Sequence, residues 1–497
     1  MAKKHNAIYN KKSMKKDKLL KNILLIFIML QPIFDLSFFY GQVATLIRLL
    51  IILAMFIIVI LMDKSKLKKY LFIYLITVII YFIFHHLNAL NFTSLVPGNF
   101  NYSVIDEILY IIKMLMSVLI IYLVYTLEIG INNLSKPINI AVLLISGSIV
   151  LLNFLTLSYS SYSFDTISGN FFTWFTNHNY LFDDLSSKGY FEFANQIVAI
   201  LILYLPIIIY FYFKNFKPLN IITLFIMLLS LLMLGTRISI YGGLLVLIFC
   251  ILLYLLLVLL KKEKFNLKIF SLIIIFIILF VFLINYSPVK LKQNYYEDIY
   301  ETDNQSQIKT VETKETPKEE INKLDYILNN YEDKLIFEEF ILYSYPYQYD
   351  PDFWINIMNE DVTKRVDTRY LEIEMVKRVV SINNNKLDNF LGITYSRVMN
   401  IFNIERDYIM QYYSLGIIGT ILLIGPYFAI VIICLIKVLK DYQTKFNFKN
   451  LLLLSSVSIL LFSAYFSGNI LNGPGCIIPL SFICGVLLKE VWYDKIR

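Results

Sequence analysis

The sequence predicts an all-α polytopic membrane protein of about twelve transmembrane helices, with a large, partly helical extracytoplasmic loop between helices nine and ten. Three observations predict it. Apolar residues come in continuous Leu-, Ile- and Phe-rich runs near the ~20 residues that a helix needs to cross a bilayer, in a chain that is 58% hydrophobic with mean hydropathy +0.64. Lysines and arginines concentrate in alternate short loops, as the positive-inside rule requires of a multi-span protein. One polar stretch, 288–410, leaves the apolar pattern long enough to build a domain.

The formal charge of +8 divides between these parts. Residues 288–410 hold 15 Lys and Arg against 23 Asp and Glu, a net of −8, which leaves 30 against 14, or +16, elsewhere. The positive excess thus belongs to the membrane part, where loop topology explains it, and no basic face for nucleic acid is implied. The runs are too long and unbroken for the alternating strands of a membrane barrel. Cys250, Cys434, Cys476 and Cys484 all sit in apolar runs without metal-ligand spacing to histidine, and read as small buried hydrophobes.

A basic segment, 1–21, precedes the first apolar run, and with no small-residue cleavage site after it this reads as a retained anchor with a cytoplasmic N-terminus. Helices one to nine fill 22–287. Helix one, about 22–40, carries Gln31, Pro32 and Asp35; Pro32 removes a backbone hydrogen bond and Asp35 is costly in lipid, so this end is expected to bend and face protein or water. Helix two, about 43–62, returns to the basic loop Asp63–Lys69. Helices three and four, about 70–87 and 105–127, flank His85-His86 and an outer loop. In helix four Asp106-Glu107 starts the helix, and Lys113 either snorkels outward or binds an anionic group.

Helix five, about 138–157, leads to a second outer loop, Ser158 to Tyr190, whose many aromatics suit interfacial anchoring or sugar stacking. Helix six, about 192–213, returns to Lys214 and Lys217. Helices seven and eight, about 219–234 and 239–260, are separated only by Gly235-Thr236-Arg237-Ile238. This turn falls outside by the alternation, where positive charge is disfavoured, so Arg237 is not a topology signal and becomes the first candidate for function. Helix nine, about 269–286, feeds the long outer segment, which spans 288–410. Helices ten to twelve fill 411–488, and 489–497 is a cytoplasmic C-terminus. The polar turn Ser467–Gly475 separates the last two on the outside. No internal repeat is visible, which disfavours a repeat-built secondary transporter.

Within the outer segment, Gln293 to about Glu320 lacks the apolar residues of a core and is expected to be a tether. Ile321–Tyr343 has apolar residues near helical spacing, which suggests an amphipathic helix ended by Tyr345-Pro346-Tyr347. A second helix is predicted from an N-cap at Asp367 or Thr368, with Arg369 in its first turn. A cation there opposes the helix dipole unless an anion sits at the same place, in which case the arginine and the free amides cooperate; an ordinary surface arginine is the other reading. Glu405 and Asp407 are two positions apart, which on a regular helix puts them on opposite faces, Glu405 with Tyr408 and Tyr412, and Asp407 with Gln411 and Ser414. They either cap helix ten or serve a site.

Four short motifs in this order, Gln31–Asp35, Leu234–Arg237, Glu405–Gly419 and Ser467-Gly468-Asn469, with a large outer loop between helices nine and ten, resemble the O-antigen ligase and polymerase family of bacterial surface polysaccharide assembly. The resemblance covers nearly the whole chain. It implies a multi-pass protein of the bacterial cytoplasmic membrane, both termini cytoplasmic, performing metal-independent, inverting glycosyl transfer at the outer face from an undecaprenyl-diphosphate-linked glycan to an acceptor hydroxyl, with no cofactor. It further implies that Arg237 and Arg369 hold the donor diphosphate, and that Glu405 or Asp407 is the catalytic base, with Lys113, Asp35 and Tyr408 as substrate-binding candidates. The implied partners are the lipid-linked glycan, its acceptor, the bilayer and a chain-length regulator. Ligases acting on lipid A core typically carry histidine where this chain has Glu405, so a polymerase of repeat units, or a ligase to another envelope acceptor, fits better than a lipid A core ligase. A flippase or exporter would place its charges along the midplane, whereas here they cluster at outer helix ends. A metal-dependent sugar transferase could draw ligands from Asp106-Glu107, a pair that also makes an ordinary helix cap.

Overall fold

The protein is described from a computed structural model covering residues 2–39, 41–63, 65, 67–96, 101–176, 180–295, 297, 320–401 and 404–492. The expected tether falls, over 298–319, outside the described residues, as does His178 of the second outer loop. The membrane part opens with α1 (Ala2–Leu30), α2 (Gly41–Met62), α3 (Leu67–Ala89), α4 (Val104–Thr126) and α5 (Ser135–Phe154). It continues with α6 (Ala194–Lys214), α7 (Pro218–Leu234), α8 (Gly243–Leu259) and α9 (Leu267–Ile284). The outer segment contributes α10 (Glu320–Asn330), α11 (Pro351–Met358), α12 (Thr368–Asn383), α13 (Asp388–Leu391) and α14 (Tyr395–Ile401). The chain then closes with α15 (Asp407–Leu423), α16 (Gly425–Lys440), α17 (Phe448–Phe466) and α18 (Pro474–Trp492).

Among the described residues, ten helical stretches are long and apolar enough to cross a membrane, and α7, at 17 residues, is a shorter apolar helix. The architecture is thus all-α and polytopic. Helix α6 is its axis, with every residue from Ile197 to Tyr212 buried, while α2, α3, α8 and α9 turn many Leu, Ile and Phe side chains outward. Such faces suit lipid, which is as apolar as the side chains it meets.

Several boundaries differ from expectation: helix one begins at Ala2 instead of about 22, the expected helix ten divides into α15 and α16, and three further differences have a local reason. Helix one stops at Leu30, ten residues early, because Pro32 breaks the ladder and Gln31–Asp35 tighten into a 3₁₀ turn. The amphipathic helix expected over 321–343 ends at Asn330, and a separate π turn covers Glu339–Ser344. Helix ten starts at Asp407 instead of 411 and bends inside, at Gly416, whose φ of 66° and ψ of −178° no side chain adopts readily. That bend frees carbonyls of the preceding turn, and the outer segment and α3 take them up. Ile393 N–H donates to Tyr413 O at 2.8 Å, Thr394 N–H to Ser414 O at 3.1 Å and the Tyr81 hydroxyl to Leu415 O at 2.6 Å.

Contacts sort the connections onto two ends of the bundle. The basic loops meet one another at the first: Lys21 Nζ donates to Glu128 O, Lys262 Nζ to Tyr442 O and Phe446 O, and Lys449 pairs with Glu490. At the other end lie the 3₁₀ turn after α1, the loop Ser158–Tyr190, the α7–α8 turn and the outer segment. An antiparallel pair of short strands, Tyr159–Ser160 and Ser187–Gly189, stiffens the loop there, and the bridge from Leu36 to Phe191 ties it to the 3₁₀ turn.

Candidate active site

The bundle supplies its half of the site where α7 ends. Gly235 turns the chain left-handed (φ 63°), and Thr236 and Ser239 then cap each other, each hydroxyl accepting the other's amide N–H at 3.1–3.2 Å. Between them Arg237 projects, exposed, with no hydrogen bond or ion pair among the described residues. The Tyr162 hydroxyl donates to Gly235 O at 2.7 Å and presents its ring to Lys292, whose ammonium lies 3.9 Å from the Tyr162 centroid and 5.1 Å from that of Phe182. Lys292 stands on the helical stretch 288–295 after α9, and its charge is in electrostatic reach of Arg237, Arg369 and Glu405.

The outer segment supplies the other half. Asp367 is the N-cap of α12, its carboxylate accepting the Arg369 N–H at 3.1 Å, and the helix is anchored by buried Leu371, Met375, Val376 and Val379. The predicted cap and the predicted first-turn position of Arg369 are therefore both found. From there the Arg369 guanidinium gives Nε and Nη2 to Glu405 Oε2 at 3.0 and 2.8 Å, and Nη1 to Phe466 O at 3.2 Å. Both side chains of this pair remain about a third exposed, 36% and 37%.

Glu405 lies just before α15, so it and Asp407 do not share a regular helix, and their environments diverge. Asp407 is fully buried, and its Oδ2 accepts the amides of Ile470 and Leu471 at 2.8 Å each, which ties the start of α15 to the polar turn after α17. Gly468 in that turn lies against the Glu405 backbone so closely that a Cβ there would come within 2.6 Å of Glu405 Cα. Two motifs far apart in sequence are thus one physical unit. The first motif braces it: Asp35 is buried in an ion pair with Arg48 at 2.5 Å beside Gln31, and Gly475 lies directly against the Asp35 carboxylate.

The structure brings together Arg237, Arg369 and Glu405, and adds Lys292 and Glu372. It does not bring in the remaining candidates. Lys113 sits over the stacked rings of Tyr110 and Tyr395, 4.8 and 5.1 Å from their centroids, and the Tyr408 hydroxyl donates to Leu461 O at 2.6 Å. Asp106-Glu107 does not form a paired ligand set: the Asp106 N–H donates to Ser103, and Glu107 is buried against His85 at 2.9 Å. Sequence reading missed Lys292 and Glu372. The only signal for Glu372 was its spacing, three residues after Arg369 and so on the same helical face.

Three cations and one ionisable carboxylate at a part-exposed junction can hold a doubly charged phosphate and accept a proton beside it. A second carboxyl, Glu372, lies behind them; desolvation, and then the charge of Glu405, push it up to about 8. No curated protein and no solved structure matches the chain. A family model described as O-antigen ligase like membrane protein matches residues 16–493. That match takes in the α7–α8 turn, α12, the segment before α15 and the turn after α17, and by it the chain belongs to the family of O-antigen ligase-like membrane proteins, which carries with it a lipid-linked glycan substrate and glycosyltransferase-type chemistry.

Proposed function

We propose that the protein polymerises undecaprenyl-diphosphate-linked polysaccharide repeat units at the outer face of the cytoplasmic membrane, by inverting glycosyl transfer without a metal ion. The observation that carries this reading is the gathering of Arg237, Lys292 and Arg369 around Glu405 at the end of the bundle opposite the basic loops. A diphosphate leaving group suits this gathering of basic groups, and guanidinium groups bind phosphate oxygens in pairs.

In the resting state Arg369 is spent on Glu405. A donor diphosphate arriving between Arg237 and Lys292 competes for Arg369 and releases the carboxylate toward the acceptor. Glu405 then takes the acceptor O–H proton as that oxygen bonds to the anomeric carbon. The bond from that carbon to the diphosphate oxygen breaks, its electron pair leaving with undecaprenyl diphosphate, whose charge the cations compensate. Asp407, buried and held by two amides, serves in this scheme to shape the turn that seats Glu405.

The test uses the purified protein in lipid vesicles, with lipid-linked glycan extracted from cells lacking this protein. Arg237→Ala and Arg369→Ala are expected to abolish chain growth at normal expression, and Glu405→Gln to do so while Asp407→Asn alters folding first. Chain growth in the absence of any other acceptor supports the polymerase; transfer only on addition of an envelope acceptor would make it a ligase, and persistence of activity in both arginine variants would remove the site.

A further inference from the structure

The inference concerns how Glu405 is held, and it rests on the active-site reading above. Glu405 lies in a non-helical stretch between α14 and α15. Glu372, 1% exposed on the second turn of α12, supplies the acceptor: its Oε2 takes the Glu405 N–H at 2.9 Å. Arg369 stands one turn earlier on the same face and takes the Glu405 carboxylate. One helix face therefore grips one residue at two points, backbone and side chain, and the direction in which Glu405 aims follows from both.

We propose that Glu372 is a positioning residue for Glu405, receiving the Glu405 amide through one carboxyl oxygen. A neutral acid in this place gives geometry without a second negative charge. Two ionised carboxylates on one guanidinium would cancel the excess cation charge that a diphosphate needs. The groups that face it are Arg369 and Asp367 on its own helix and Glu405 opposite; burial and Glu405 raise its proton affinity, while the amide bond and Arg369 oppose them without prevailing.

The role separates from mere packing by its response to substitution. Glu372→Gln keeps the acceptor oxygen and the neutral charge and is expected to keep kcat within about 3-fold of the parent, whereas Glu372→Ala is expected to lose about 100-fold in kcat at nearly constant KM, the scale of a base misplaced by about 1 Å. Both are assayed in vesicles with the extracted lipid-linked glycan, with thermal midpoints as the folding control. A parental kcat in Glu372→Ala, or a Gln variant as impaired as the Ala variant, would overturn the proposal. If Glu372→Ala does not fold, Glu372→Asp takes its place: its shorter arm cannot reach the amide, so loss in Asp with retention in Gln supports the role, and the reverse refutes it. Arg237→Ala is run alongside. Activity there condemns the site itself, whereas a dead Arg237→Ala beside a fully active Glu372→Ala condemns only the positioning role.

Discussion

The outer segment meets the bundle in two places of opposite character. At the first, where α13 and α14 lie on α3, α4 and α15, polar groups are buried and mostly paired. His85 pairs with Glu107, both fully buried, and Glu107 also accepts the Tyr395 N–H at 2.9 Å; Asp388 takes the amides of Asn88 and Asn383. Tyr110 and Tyr395 stack at 3.8 Å, and Gly392 and Gly416 let two backbones touch. At the second, around Arg369, charged groups stay part-exposed: Arg369 pairs with Glu405 while both remain about a third exposed, and Arg237 and Lys292 stand near them. Matched burial fixes a geometry but leaves nothing to bind with. Charge that stays open to solvent is poor at holding a fold and suited to holding a substrate.

This comparison can be broken from either side. The largest effect is expected from Gly416→Val: a side chain at φ 66° would meet Phe390 and Leu391 backbone at 2.3–2.4 Å, so size-exclusion of the detergent-solubilised variant should show no folded protein. Arg237→Ala should cost at least 100-fold in chain growth, the scale of a lost charge-stabilising group, while its thermal midpoint stays at the parental value, since no hydrogen bond or ion pair holds Arg237 among the described residues. If both variants fail in the same way, the two regions are not distinct.

Glu107→Ala sharpens the contrast more gently. It strips the acceptor from the His85 ring and from the Tyr395 amide, each worth about 1–3 kcal/mol when left unpaired, so activity should fall only in step with the loss of thermal stability. The pH dependence of stability tests Glu372. Its proton is held more tightly in the fold than in the unfolded chain, so its contribution is whole below the ordinary value of 4.5 and is lost as the pH rises toward about 8. Denaturation midpoints across that window should decline more steeply in the parent than in Glu372→Gln. The smallest effect is expected from Lys113→Met, which removes a cation held over two rings outside the site and should change chain growth less than about 3-fold.

Much of the membrane architecture was legible because hydrocarbon length and loop charge are read residue by residue. The helix cap at Asp367 and the break at Pro32 were legible for the same reason, each depending on one residue's own chemistry. The early start and internal bend of α15 were not, since Gly416 is tolerated in many helices and only the backbone of 390–391 pressing on it reveals why it must bend. Of the site, Arg237 stood out as a positive charge in a turn that the predicted alternation puts outside, where positive charge is disfavoured. Lys292 did not, because lysine in a polar stretch is ordinary until Tyr162, Phe182 and two arginines are found around it.

From composition and residue order alone, this chain reads as a helical membrane protein with one long polar segment, and its short motifs already resemble the O-antigen ligase-like family to which it belongs. Those are properties of composition and local order, which the solvent imposes directly. Only the tertiary structure decided how Glu405 and Asp407 differ. Two residues apart, they are indistinguishable by type and spacing, yet one is sealed against the amides of Ile470 and Leu471 and the other lies open between Arg369 and Glu372. A carboxylate's role follows from the solvent and the charges around it, and those are set by segments 33 to 64 residues away in the chain.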